Sequence, residues 1–193
     1  MEELLSLVAD HDAVVQQLAA LSALAIFRDI IPAYRLRLPT EKERSQKVSK
    51  QVQQVRSYEA ALLSNYQVRL RRKKITVSGF ASASASAAAA AADAGRRAAG
   101  LCAVRCMCGV LEAHPHFNFR SNLVAAVVPR LSHADPEARR ACYECLERLF
   151  AADAQGETSL EVRKLVDGKD AYIPCSLHVF ESGFAVGAAA DRF

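Results

Sequence analysis

From Glu41 to Lys74 the chain contains neither Gly nor Pro. A strand averages about five to six residues, so an uninterrupted stretch of this length points to a helix. Its apolar residues, Val48, Val52, Val55, Tyr58, Leu62 and Tyr66, recur in steps of three and four, which keeps them on one face toward a partner. Thr40 and Glu43 stand at capping-box spacing just after Pro39, so the helix is predicted to start there and run through 41–74.

The same periodicity extends to the rest of the chain. Leu4, Leu5 and Val8 are followed by Val14, Leu18, Leu21, Leu24, Phe27 and Ile31, a predicted second helix capped by Asp10 or Asp12 and stopped by Pro32. Leu101, Val104, Met107, Val110 and Leu111 mark another helix, ending at His114–Pro115. Leu123, Val124, Val127, Val128 and Leu131 mark the next, after the turn His116–Phe117–Asn118–Phe119. Asp135–Pro136 places a cap and an N1 proline ahead of Ala141, Cys142, Cys145, Leu146, Leu149 and Phe150. Thr158 and Glu161 offer a further capping box. In the aromatic turn, Phe117 and Phe119 are expected to plug the hairpin and Asn118 to cap the following helix.

Helix, short turn, helix, repeated, is the pattern of an all-α, HEAT/armadillo-like helical-repeat (α-solenoid) fragment carrying one long basic amphipathic helix. The predicted organisation is N-terminal helices over 1–76, an Ala/Ser linker over 77–99, helical-repeat hairpins over 100–166 and a divergent, poorly ordered tail over 167–193. Twelve Ala fall between Ala81 and Ala99, leaving nothing bulky to bury.

Charge is concentrated. Residues 41–74 hold ten Lys or Arg against three Glu, a balance of +7, within a chain whose total is +4. Lys42, Lys47, Lys50, Arg69, Arg71, Arg72, Lys73 and Lys74 are therefore candidates for nucleic-acid or import-receptor contact, against the plainer role of a solvated helix face. His116, Arg120 and Asn122, in and just after the aromatic turn, are candidates for partner binding.

Several classes are disfavoured. The longest apolar stretch, Ala13–Ile31, is interrupted by Gln16, Gln17, Arg28 and Asp29, so no membrane span is expected. The acidic Met–Glu–Glu start lacks the positive region of a secretory signal, so a reducing compartment and free thiols are expected. Cys102, Cys106, Cys108, Cys142 and Cys145 lie on helices, with Cys142 and Cys145 facing the core, and are expected to act as small apolar residues rather than metal ligands. No phosphate loop, HExxH or cysteine-hydrolase signature occurs, so an enzyme, a cofactor or a small-molecule substrate is not expected.

The segments "FRDIIPAYR", "SNY" and "AHPHFNFRSNLV", within Leu18–Val166, resemble the N-terminal conserved region of the nucleolar complex-associated protein 3 family. The resemblance implies a helical-repeat scaffold of the nucleus and nucleolus. It would work with nucleolar complex protein 2 and other pre-60S assembly factors in maturation and intranuclear transport of large-subunit pre-ribosomes, touching rRNA. It implies no catalytic residue. Family members have also been linked to DNA replication initiation, so a chromatin-associated adaptor is the alternative. On this resemblance the Ala/Ser segment is an insertion, and "RLRRKK" (69–74) is a nuclear-import element.

Overall fold

The structure, a computed structural model, describes residues 2–7, 10, 12–78 and 87–167. The predicted tail after Asp167, with Cys175, lies outside the described residues, as do residues 79–86 of the predicted linker. Among the described residues every regular element is helical: α1 (Glu2–Leu7), α2 (Ala13–Ile30), α3 (Glu41–Arg44), α4 (Lys50–Ser78), α5 (Ala87–Ala113), α6 (Arg120–Val127), a 3-10 turn (Val128–Ser132), α7 (Pro136–Ala152) and α8 (Glu157–Asp167). The all-α class agrees with the sequence reading. The helices gather round α5, which packs against α2, α4, α6 and α7, while α8 closes on α6 and α7.

Local signals set most boundaries. The Asp12 carboxylate accepts from Val14 N at 2.7 Å to start α2, which stops before Pro32. Asp135 caps α7 by accepting from Glu137 N at 2.8 Å and Ala138 N at 3.2 Å. A hydrogen bond from Arg97, reinforced by these two backbone bonds, holds the Asp135 carboxyl below the usual carboxylate range.

Four expectations change. The predicted 41–74 helix is broken at Ser45–Ser49. Ser45 Oγ donates to Lys42 O at 2.9 Å, and Ser49 Oγ accepts from Val52 N at 3.4 Å, so two hydroxyls compete with the helical ladder. The expected capping box does form, Thr40 N donating to Glu43 Oε2 at 2.8 Å, but it opens only the single turn of α3. Second, Ala87–Ala99, expected within a linker, are the first turns of α5. Ala has the strongest helix propensity, and Arg97 ties this stretch to α7 through Asp135 and Glu137.

Third, α2 presents a different face from the one its leucines suggest. Ala19, Ala20, Ala23 and Phe27 are buried, while Val14, Leu18 and Leu21 are exposed. The reason is close approach: a Cβ on Gly109 of α5 would lie 3.3 Å from Leu24 Cδ2, and Cys106 Sγ lies 3.7 Å from Ala20 O. The small Ala20 and Gly109 let the two helices approach closely, and Val14, Leu18 and Leu21 turn outward. Fourth, Asp153 takes the capping role expected of Thr158, accepting from Ser159 N at 2.8 Å and Ser159 Oγ at 2.9 Å. Glu161 is drawn instead into an ion pair with Arg120.

The centre of the core is aromatic. Tyr66 of α4 is buried, with ring centroids 5.7 Å from Phe27, 5.3 Å from Phe117 and 6.1 Å from Phe119. Such pairs add about 0.5–1.5 kcal/mol each beyond the area they bury. Beside them Asn118 does not cap α6; its amide donates to Leu36 O at 2.9 Å and its carbonyl accepts from Leu36 N at 2.8 Å. Phe119, with φ 66°, occupies the N-cap position in a left-handed conformation that few non-glycine residues adopt. The Tyr66 contact and the Asn118 clip hold it there.

Arg69, predicted on the basic surface, is only 4% exposed. Its guanidinium donates to Ala20 O and sits 5.5 Å from the Phe27 ring centroid. Burial lowers its pKa from the usual guanidinium range.

Three outcomes follow from this packing. Asn118→Ala strands the Leu36 N–H and C=O and is expected to cost about 1–3 kcal/mol in denaturant unfolding. Arg69→Met, which keeps bulk but removes a buried charge, is expected to stay within about 1 kcal/mol of the parent, whereas Arg69→Glu costs more than about 3 kcal/mol. Equal losses in the two variants would show that the cation itself is required. Because the Asp135 pKa is lowered by folding, its contribution is full above about pH 4 and is lost as the pH falls through the lower folded value. Asp135→Asn, compared with the parent in acid unfolding, should therefore flatten that part of the pH profile.

Candidate protein and nucleic-acid interface

α4 is one helix with two environments. Leu62, Tyr66, Arg69 and Leu70 are buried against the core. Toward the N-terminus the apolar row continues in register, but Val52, Val55 and Tyr58 are exposed, Val55 by 54% and Tyr58 by 57%. Val48, just before the helix, is exposed as well. The predicted stripe is therefore real as a spacing, but the described core covers only its second half.

The candidate cations divide the same way. Lys42 on α3, Lys47 in the break and Lys50 at the start of α4 are all exposed. Arg71, near the other end, is also exposed. From Lys50 to Arg71 the helix rises about 1.5 Å per residue, roughly 30 Å in all, so these are two clusters rather than one patch. Arg72, Lys73 and Lys74 belong to α4, but their side chains lie outside the described residues. Of the expected import element, Arg69 and Leu70 are buried.

The break between α3 and α4 makes a groove that periodicity gives no sign of. Arg56 Nη1 donates to Glu43 O at 3.0 Å and draws α3 back along α4. The enclosed space, about 590 Å³, is lined by Leu38, Val48 and Ala60 with Arg44, Lys47 and Arg56. Arg44 and Arg56 were legible only as members of a basic run, since their convergence depends on the turn at Ser45–Ser49.

The aromatic turn contributes less than expected. His116 and Asn122 are exposed. Arg120 is committed internally, its Nε 3.0 Å from Glu161 Oε2 and its Nη1 3.3 Å from Glu157 Oε2, which ties α6 to α8. Asn122 meets Arg71 and Gln67 at the rim of a cavity of about 240 Å³ whose apolar walls include Leu70, Met107 and Phe119. Here the aromatic turn and the basic helix share a surface.

Metal and thiol chemistry find little purchase. Cys106, Cys108, Cys142 and Cys145 are buried. A hydrogen bond with Cys108, together with burial, pushes the Cys142 thiol up, away from the thiolate that a metal or an electrophile needs. No group of His, Cys, Asp and Glu among the described residues is arranged to hold a metal ion. Nor is any described helix long and apolar enough to cross a membrane.

Comparison with known proteins agrees with the resemblance. Residues 1–68 match the family model described as nucleolar complex-associated protein. Nucleolar complex-associated protein 3 of Arabidopsis thaliana is 37% identical over 92% of this chain and 20% of its own length. The nucleolar complex protein 3 homolog of Danio rerio is 33% identical over 80% of this chain and 19% of its own. Nucleolar complex-associated protein 3 of Saccharomyces cerevisiae is 29% identical over 75% of this chain and 21% of its own. The chain thus spans about a fifth of the length of the curated relatives it matches. The similarity runs through both the helices that carry the basic clusters and the aromatic turn that anchors them, and the chain belongs to the nucleolar complex-associated protein 3 family.

Proposed function

We propose that this chain is a non-enzymatic scaffold of nucleolar assemblies in large-subunit ribosome biogenesis, joining protein partners through exposed apolar helix faces and pre-rRNA through its basic clusters. The relatives are named as nucleolar complex proteins, and kinship with them places this chain in the nucleolus. The observation that carries the scaffold reading is a pair of uncovered apolar rows, Val14, Leu18 and Leu21 on α2 and Val52, Val55 and Tyr58 on α4. Rows at helical spacing on two helices offer a partner the same kind of face that builds the core. Nucleolar complex protein 2 and other pre-60S factors are the partners we assign to them.

The α7–α8 hairpin supports a HEAT-like repeat character, since α7 opens with a capping Asp135 and an N1 Pro136 and packs its apolar face on α5 and α8. The RNA role rests on Lys42, Lys47, Lys50 and Arg71 with the neighbouring Arg72, Lys73 and Lys74. Lysine and arginine so placed neutralise phosphates and release counterions, which makes affinity salt-dependent. Measured by anisotropy with a single-stranded pre-rRNA fragment, log affinity is expected to fall linearly with log salt. Each cation reversed to Glu in either cluster should reduce the slope by about 0.7–1. A slope unchanged by reversal of both clusters contradicts RNA binding, and native complexes holding origin and helicase-loading proteins without rRNA would favour a chromatin adaptor.

A further inference from the structure

The groove between α3 and α4 differs from the apolar rows in chemistry. Three cationic side chains, Arg44, Lys47 and Arg56, converge on it, and no acidic residue lines it. Its apolar part is Leu38, Val48 and Ala60, with Leu38 and Val48 exposed. Arg56 fixes the two walls together through Glu43 O, and Arg37 pairs with the Glu43 carboxylate from outside. The wall that carries Arg44 is thus clipped to α4 through Arg56 and held on its other side by Arg37, and the groove is pre-formed.

Charge alone would admit a phosphate backbone, but the lining argues for a different occupant. No aromatic ring lines the groove, so a nucleobase has nothing on which to stack. Meanwhile aliphatic surface beside three cations matches a ligand that carries carboxylates and aliphatic groups together. A volume of about 590 Å³ holds a few side chains rather than a domain.

We propose that this groove binds a short acidic, leucine-bearing segment of a partner protein, its carboxylates on Arg44, Lys47 and Arg56 and an aliphatic side chain against Leu38 and Val48. The proposal rests on the scaffold reading above and names one class of partner for it. Arg44 and Arg56 then serve protein recognition together with Lys47, which also belongs to the N-terminal basic cluster, while Arg71 and its neighbours, about 22 Å along α4 from Arg56, remain for RNA.

The test uses the whole chain and a fluorescein-labelled synthetic peptide of alternating Leu with Asp and Glu. A peptide with Lys in place of the acids and a polyuridine oligonucleotide serve as rivals. The acidic peptide is expected to bind and the basic one not. Arg44→Glu with Lys47→Glu should weaken the acidic peptide by about tenfold or more. Both side chains are exposed, and the parent's circular dichroism should be retained. Ala60→Trp, which fills the groove without altering charge, should weaken it as well. Unchanged affinity in the Trp variant would show diffuse electrostatic attraction and overturn the proposal. So would polyuridine that outcompetes the peptide and loses its own affinity in the double variant, since the groove would then be a nucleic-acid site. Absence of peptide binding, with RNA still held through Arg71–Lys74, removes the groove proposal and leaves the scaffold reading standing.

Discussion

Tyr66 holds the architecture together. Its ring meets Phe27 from α2 and both phenylalanines of the turn between α5 and α6, segments far apart in sequence. Removing a buried aromatic of this kind costs about 3–5 kcal/mol, a large share of the stability of a small domain. Arg69, one turn further along α4, places its guanidinium by Phe27 and on the Ala20 carbonyl. Aromatic contact, buried cation and the Asn118 clip on Leu36 together fix where α4 leaves the core.

That anchoring gives α4 its division of labour. Leu62, Tyr66, Arg69 and Leu70 are packed into the core, and the N-terminal half carries the same apolar spacing into solvent with Lys50 at its start. α2 shows the complementary arrangement, with Ala20 toward Cys106 and Leu24 on Gly109 of α5, and Val14, Leu18 and Leu21 outward. A chain that hides its alanines and displays Val14, Leu18 and Leu21 has its remaining apolar surface ready for another molecule.

The legible part of this fold was the local part. Pro32 as a stop, Asp12 and Asp135 as caps and the apolar periods of α5 and α7 follow from backbone chemistry within a few residues. Phe117 and Phe119 as plugs were also legible, since bulky aromatics in a short turn have few places to go. What failed depended on distant partners. Arg69 belongs to a basic run and gives no local sign that a carbonyl on α2 and a phenylalanine ring await it. Leu18 and Leu21 outweigh alanine in any periodicity, yet α2 turns Ala19, Ala20 and Ala23 inward and seats the Leu24 side chain on Gly109 of α5. The break at Ser45–Ser49 turns on two serine hydroxyls competing with a helix that propensity alone would continue. Of the candidate site residues, Lys42, Lys47, Lys50 and Arg71 are exposed, while Arg69 is buried against α2 and Arg120 pairs with Glu157 and Glu161.

The central claim is that the front half of α4 and the segment before it form a contact surface while Leu62, Tyr66, Arg69 and Leu70 anchor the helix in the core. Amine-reactive footprinting read by mass spectrometry, on the free chain and on the same chain recovered in its native nucleolar complex, tests this residue by residue. Lys42, Lys47 and Lys50 should label readily in the free chain and be protected in the complex. Equal labelling of these three lysines in both states would contradict the account.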